Sequence, residues 1–352
     1  MLESPENKVL QNDFDVLAKS DVPFKDFDGK TIFVTGATGL IGSQFIKAVA
    51  CYNRVNGTKI KMVALARSAE KARKVFGDIP GIDVVVGDIN GEINYDGDVD
   101  YVIHGASATS SRFFVEHPVE TIMIAIDGTK NVLDFAKEKN VKGFVYLSSL
   151  EVYGTPDNSK EKIGENDYGY IDQLNIRSSY SEGKRMVECL CCSYASEYGV
   201  PVKIARLSQT FGAGVEYNDG RVFAEFARCA IEKRDIVLHT QGNTVRTYCY
   251  TTDAIAALVY ILLNGEVGAA YNVTNMDTSC SIKEMAQLVC DTFPEAGINV
   301  KIDIPDNVAA FGYNPEMIIR LDASRLESLG WKAQVGIKEM FQRLVESMQV
   351  DR

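Results

Sequence analysis

The chain has 352 residues, 46% of them apolar, and a formal net charge of −11. That length supports one large or two ordinary domains with a full core. The acidic balance argues against a nucleic-acid surface, which needs a clustered basic patch, and no apolar run approaches the roughly 20 residues of a membrane span.

The N-terminus, Met1-Leu2-Glu3-Ser4-Pro5-Glu6, is acidic and lacks the apolar core of a signal peptide, so a cytoplasmic protein is expected. An anionic substrate stays open, because a local arginine cluster can outweigh the global sign. Eight cysteines and three scattered histidines (His104, His117, His239) show no metal-ligand spacing, and no metal is expected. Cys189 and Cys192 have redox-motif spacing inside a helix-periodic run. They are expected to be reduced and packed in the core.

Residues 1–29 are polar with traces of helical periodicity and read as an N-terminal arm. Thr31-Ile32-Phe33-Val34 is a strand that runs into Gly36-x-x-Gly39-x-x-Gly42, with a helical pattern from Ser43. Gly36 allows the tight turn, Gly39 lets backbone approach a pyrophosphate, and Gly42 lets helix and strand pack closely. In that setting the triplet predicts a dinucleotide site built on Gly36, Thr38, Gly39, Leu40, Ile41 and Gly42.

The second strand, Lys61–Ala66, ends in Arg67-Ser68. An NAD binder often carries an acid there; Arg67 either suits the 2′-phosphate of NADP or stacks on adenine. The third strand, Asp83–Val86, leads to Asp88, which can accept from the adenine amino group, and Ile89, which can pack on the ring. The fourth, Tyr101–Ile103, ends in His104-Gly105-Ala106-Ser107. Small residues such as Ala106 permit close ligand approach there, and His104 reads as a packed histidine. A helix follows from about Pro118 to Lys139.

The fifth strand, Gly143–Leu147, ends in Ser148-Ser149-Leu150-Glu151, which places a hydroxyl at the carboxyl edge where open α/β sheets bind ligands. Tyr180 and Lys184 then open an amphipathic helix on one face, one turn apart. A free tyrosine has a pKa of about 10, and a lysine cation beside it favours the phenolate. A sixth strand, Val202–Leu207, completes a Rossmann-type, doubly wound parallel α/β sheet. The expected division is a dinucleotide-binding domain over 30–206, with 240–275 returning to it. A smaller interleaved α/β substrate domain is expected over 207–239 and 276–352, with the cleft between the two.

Taken together, Thr35-Gly36-Ala37-Thr38-Gly39-Leu40-Ile41-Gly42, Asp88-Ile89, Ser148-Ser149-Leu150-Glu151-Val152-Tyr153-Gly154, Tyr180-x-x-x-Lys184 and Leu329-Gly330-Trp331 resemble the extended short-chain dehydrogenase/reductase superfamily. The similarity is to its nucleotide-sugar epimerase, dehydratase and decarboxylase branch, over about Lys30 to Trp331. Within that branch the chain looks most like the UDP-glucuronate decarboxylases. The carrying stretches are Arg177-x-x-Tyr180-x-Glu182-Gly183-Lys184-Arg185, Asn218-Asp219-Gly220-Arg221-Val222, His104-x-Ala106-Ser107-x-x-Ser110 and Glu151.

The resemblance implies bound NAD or NADP, a nucleotide-diphosphate sugar substrate and a transient 4-keto sugar. It implies Tyr180, Lys184, Ser149 and Glu151 as the catalytic set, and Arg177, Gln209, Arg221 and Arg246 as substrate contacts. It also implies a homodimer through the Tyr180 helix and the helix before Lys139. The chain departs from the branch at Leu150, where dehydratases carry Asp, which disfavours water elimination. Ala125 replaces a usual Asn. Ile319-Arg320-Leu321-Asp322 stands where the decarboxylases carry Arg-Arg-x-Pro-Asp, which puts glucuronate specificity in question. An epimerase with the same catalytic set, a simple NADPH reductase and a non-catalytic dinucleotide sensor are the alternatives.

Overall fold

Strand by strand, apolar residues alternate between two buried faces. In the first sheet strand Ile32 and Val34 join one core cluster and Phe33 another; in the second, Met62 and Ala64 are split from Val63 and Leu65 in the same way. A strand buried on both faces belongs inside a sheet covered by helices on either side. The computed structural model, which describes residues 1–157, 159–305 and 316–350, has that architecture.

The chain runs α1 (Lys8–Ala18), β1 (Thr31–Thr35), α2 (Leu40–Asn56), β2 (Lys61–Ala66), α3 (Ala69–Phe76), β3 (Ile82–Val86), β4 (Tyr101–His104) and α4 (Ser111–Glu116). It continues with α5 (Pro118–Glu138), β5 (Gly143–Ser149), α6 (Ser179–Tyr198), β6 (Val202–Leu207), β7 (Gln209–Phe211), α7 (Val222–Glu232), β8 (Ile236–Leu238) and β9 (Val245–Tyr250). Then come α8 (Thr251–Asn264), β10 (Ala270–Val273), β11 (Asn275–Ser281), α9 (Ile282–Thr292), β12 (Val300–Ile302), β13 (Ile318–Ile319), α10 (Ser324–Glu327) and α11 (Ile337–Val350).

Seven strands form one parallel sheet in the order β10-β6-β5-β4-β1-β2-β3. The chain order reverses on either side of β1 and β4, the switch point where open α/β sheets bind ligands. Helices α2 and α8 cover one face; α5 and α6 cover the other. A second sheet, β11-β9-β13 with β7 on β9, stands beside a β12-β8 pair, over a core that α7, α9 and α11 share. Within 240–275, α8 and β10 return to the large sheet, whereas β9 is the central strand of the second one, paired with β7, β11 and β13. Of 276–352, residues 306–315 and 351–352 lie outside the described residues.

The N-terminal arm is helical because Asn7 caps it, accepting the Leu10 amide, and Leu10, Phe14 and Leu17 share a buried face. It docks against α2, α8 and α11. Asp13 is sealed there, accepting from Tyr250 and, at 2.7 Å, from Arg343. The cysteine expectation is corrected. Cys191 faces the core, whereas Cys189 and Cys192 lie exposed on α6, because a step of one residue rotates a helix by about 100°. All three are free thiols.

Candidate active site

The turn after β1 is shaped by missing side chains. Gly36 has φ +67°, and a Cβ on it would lie 2.6 Å from the Gly105 carbonyl carbon and 2.7 Å from the Ala106 nitrogen. A Cβ on Gly42 would lie 2.4 Å from the Gly36 oxygen, so helix α2 can sit this close only with glycine there. Gly39 occupies the cap position of α2 and offers no side chain to its first amides. Such unsatisfied amides, with Thr38, Leu40 and Ile41 half-buried around them, fit a pyrophosphate.

Around this cradle, Ala106 donates its amide to Thr35 Oγ1 at 3.2 Å. His104 is fully buried, hydrogen-bonded to Thr35 Oγ1 at 2.6 Å and Thr129 Oγ1 at 2.9 Å. Burial, with the Lys184 charge, pushes its pKa down to about 3, so it is a neutral tie between β4, β1 and α5. Arg67 lies exposed just beyond β2. Asp88 is half-buried and accepts the Asn90 amide at 2.9 Å. Ile89 is 7% exposed and fills the slot left by Gly128 of α5, where a Cβ would lie 2.5 Å from its Cδ1. The ring-packing expected of Ile89 therefore has little free surface.

Helix α6 delivers Tyr180 and Lys184 to the carboxyl edge of β5. The Tyr180 ring stacks on Phe114, centroids 4.3 Å apart and planes 15° from parallel. Burial and then the Glu151 charge push its phenol well above the usual tyrosine range; Ser149, Arg177 and Arg221 pull it down. Lys184 is 3% exposed, donates to the Leu147 carbonyl at 2.8 Å, and lies 5.7 Å from the Tyr180 ring centre. Burial lowers its own pKa to about 8. A lysine that draws the phenol down was expected. In this arrangement desolvation outweighs every cation near Tyr180, and the ammonium is turned to a backbone oxygen.

The carboxylate of Glu151 is shared. Ser181 Oγ donates to it at 3.1 Å, and Arg177 reaches both of its oxygens at a long 3.4 Å. Arg177 also lies over the Phe114 ring, 5.1 Å from its centroid. The Glu151 field also reaches Arg246, whose Nη2 meets Met317 Sδ at 3.3 Å. Arg246 Nη1 is sealed from solvent with no hydrogen-bond partner among the described residues. Arg221 forks onto Asp219 at 2.6 and 3.0 Å and is half-exposed at the start of α7, yet its charge is felt at Tyr180. Gln209 opens β7 opposite Tyr248, two residues from Arg246.

The fold thus gathers Ser149, Glu151, Arg177, Tyr180, Lys184, Arg221 and Arg246, which are spread over almost a hundred residues of sequence. The sequence reading passed over Phe114, whose ring carries both Tyr180 and Arg177; no spacing points to it. It also passed over Ser181, and over Glu188, which continues the four-residue spacing of Tyr180 and Lys184 and was legible on that ground.

Residues 32–274 match the model of the NAD dependent epimerase/dehydratase family. UDP-glucuronic acid decarboxylase 6 of Arabidopsis thaliana is 28% identical over 309 residues, 88% of this chain and 85% of that protein. UDP-glucuronic acid decarboxylase 1 of Danio rerio is 29% identical over 269 residues, 74% of this chain and 60% of that protein. The crystal structure of UDP-glucose 4-epimerase with UDP-glucose from Thermotoga maritima superposes with a TM-score of 0.76 at 19% identity, covering 91% of this chain and 98% of that one. At that identity the likeness concerns the fold alone.

Proposed function

The chain belongs to the NAD dependent epimerase/dehydratase family, and from that premise we propose that it modifies a nucleotide-diphosphate sugar through a transient 4-keto group, as a decarboxylase of the UDP-glucuronate type. The observation that carries the reading is the surplus of cations beside the proton-transfer pair. Arg177, Arg246 and Arg221 converge near Tyr180 and Glu151, and Arg246 Nη1 is buried without a hydrogen-bond partner among the described residues. A buried, unpaired guanidinium N–H calls for an anionic ligand. The decarboxylase relatives supply the chemistry with which this agrees.

The glycine turn and the start of α2 would hold NAD by its pyrophosphate, with Asp88 and Ala106 along its length and Lys184 at the ribose end. Bound NAD supplies the hydride acceptor and donor at sugar C4. Tyr180 Oη takes the 4-hydroxyl proton and returns it at the end, with Ser149 Oγ sharing the hydrogen bond. Because burial holds the phenol high, the cations of Arg177 and Arg221 assist its ionisation. The 4-keto group stands β to the sugar carboxylate; the C5–carboxylate bond breaks, its electron pair enters the enolate, carbon dioxide leaves, and C5 takes up one proton. Glu151, held by Ser181 and Arg177, is assigned to proton traffic at C5. Arg246 and Arg221 are assigned to the diphosphate and Arg177 to the sugar acid, with Gln209 at the nucleotide side.

Incubation with UDP-glucuronate and catalytic NAD+, followed by mass spectrometry, tests this. A product lighter by one carbon dioxide without net NADH is expected. One observation favours an epimerase as the second reading. Where the decarboxylases carry two arginines this chain has Ile319-Arg320, and the Arg320 charge acts on Glu284 of α9. A product of unchanged mass and new stereochemistry would decide for it. Tyr180→Phe should lower turnover by about 10²–10⁴-fold with NAD binding kept; unimpaired turnover would remove Tyr180 from the mechanism. A homodimer through α5 and α6 agrees with the exposed Val119, Met123 and Met186; a monomer in sedimentation would end that part of the proposal.

A further inference from the structure

Behind the catalytic floor lies an ion pair that the proposed reaction does not use. Glu188 is 6% exposed and Arg206, on β6, 1%. Arg206 Nη2 and Nε donate to the Glu188 carboxylate at 2.7 and 3.0 Å, and Ser148 Oγ donates to it at 2.5 Å. Arg206 Nη1 donates to Tyr153 Oη at 3.0 Å and the Glu165 carbonyl at 2.6 Å, and its Nη2 also reaches the Tyr168 hydroxyl. Tyr153 in turn donates to Asn272 of β10 at 2.6 Å. The carboxylate and the guanidinium are therefore enclosed and well partnered.

Stability alone is a weak reason for such a pair, since well-packed apolar residues of similar volume often do as well or better. Its position supplies another. Tyr180, Lys184 and Glu188 are spaced by four residues along α6, and Ser148 precedes Ser149. Lys184 is a buried ammonium, faced by His104 from β4, by Tyr146 from β5 at 4.6 Å, and on its own helix by Tyr180, Cys191 and Glu188. Of these, Glu188 is the carboxylate that opposes the cost of burying the charge.

We propose that Glu188 is a positioning residue for this site: clamped by Arg206 and Ser148, it keeps Lys184 charged beneath Tyr180. The inference rests on the catalytic reading of Tyr180 and Lys184. Arg206 and Ser148 fix the carboxylate, and the four-residue spacing sets Glu188 one helical turn from Lys184 on the same face of α6. Without that carboxylate, the lysine's own burial would turn it neutral within the working pH range.

The test is a lysine side-chain NMR titration of the full-length protein, with the Lys184 signal identified by its loss in Lys184→Met. The unmodified chain is expected to titrate near pH 8, and Glu188→Gln about one pH unit or more lower. Because that variant leaves Arg206 buried with a weaker partner, the double variant Glu188→Leu with Arg206→Met is measured beside it. It leaves neither charge unpaired, so folding is retained, and a purely structural role is restored by it. The same downward shift in the double variant supports the proposal; a Lys184 titration unmoved in either folded variant overturns it. The titration needs no turnover, so failure of the sugar-modifying reading would appear separately, as an inactive chain whose Lys184 still responds to Glu188. If the chain turns over, the alkaline limb of its kcat profile should move down with the lysine.

Discussion

Two arginine–carboxylate pairs flank the first half of α6, and they are built differently. Arg206 and Glu188 meet at 2.7 Å with 2% and 8% of their side chains exposed, and serine, tyrosine and backbone partners surround them. Arg177 and Glu151 meet only at 3.4 Å with 18% and 19% exposed, beside an Arg246 whose Nη1 has no hydrogen-bond partner among the described residues. The same chemistry is saturated in one place and left open in the other. A saturated pair has nothing further to offer a ligand and can act only on its neighbours in the fold. A loose pair with surplus positive charge keeps its hydrogen-bonding capacity for an arriving anion.

That contrast can be broken by substitution. The largest stability loss is expected for Arg206→Met, which leaves the Glu188 carboxylate buried and unpaired. The unfolding free energy should fall by about 3–5 kcal/mol, read by urea denaturation; a loss no larger than that of a surface pair would erase the distinction.

The arm provides an intermediate case. Asp13 is as enclosed as Glu188, yet burial raises its pKa to about 6 despite Arg343 and Tyr250. A folded-state pKa above the unfolded one means that the folded chain holds the proton more tightly. Its contribution to stability is present below about pH 4 and is lost as pH rises through about 6. The stability of Asp13→Asn relative to the unmodified chain should therefore rise by roughly 2–3 kcal/mol between pH 4 and pH 7. A pH-independent difference would show that Asp13 is not the titrating group.

The smallest stability effect is expected for Arg177→Met, under about 1 kcal/mol. Its consequence should lie in function: affinity for the acidic nucleotide sugar should fall at least about tenfold, or 1.4 kcal/mol. An unchanged affinity with a large loss of stability would reverse the roles assigned to the two pairs.

What the sequence determined by itself is local. The glycine turn could be read because its requirements, a positive φ at Gly36 and no Cβ at Gly42, concern neighbours in the chain. Strand periodicity and the four-residue step from Tyr180 to Lys184 predicted the sheet and the helix face for the same reason. The parallel sheet seen here follows that reading, and the family match agrees with it. Other features were decided only by the tertiary structure. Phe114 becomes the platform for Tyr180, Ile89 turns into the core over Gly128, and Cys189 and Cys192 face outward while Cys191 faces in. The sign of the Tyr180 shift belongs with them, because desolvation depends on every element packed around a hydroxyl, whereas a residue spacing reports one partner at a time.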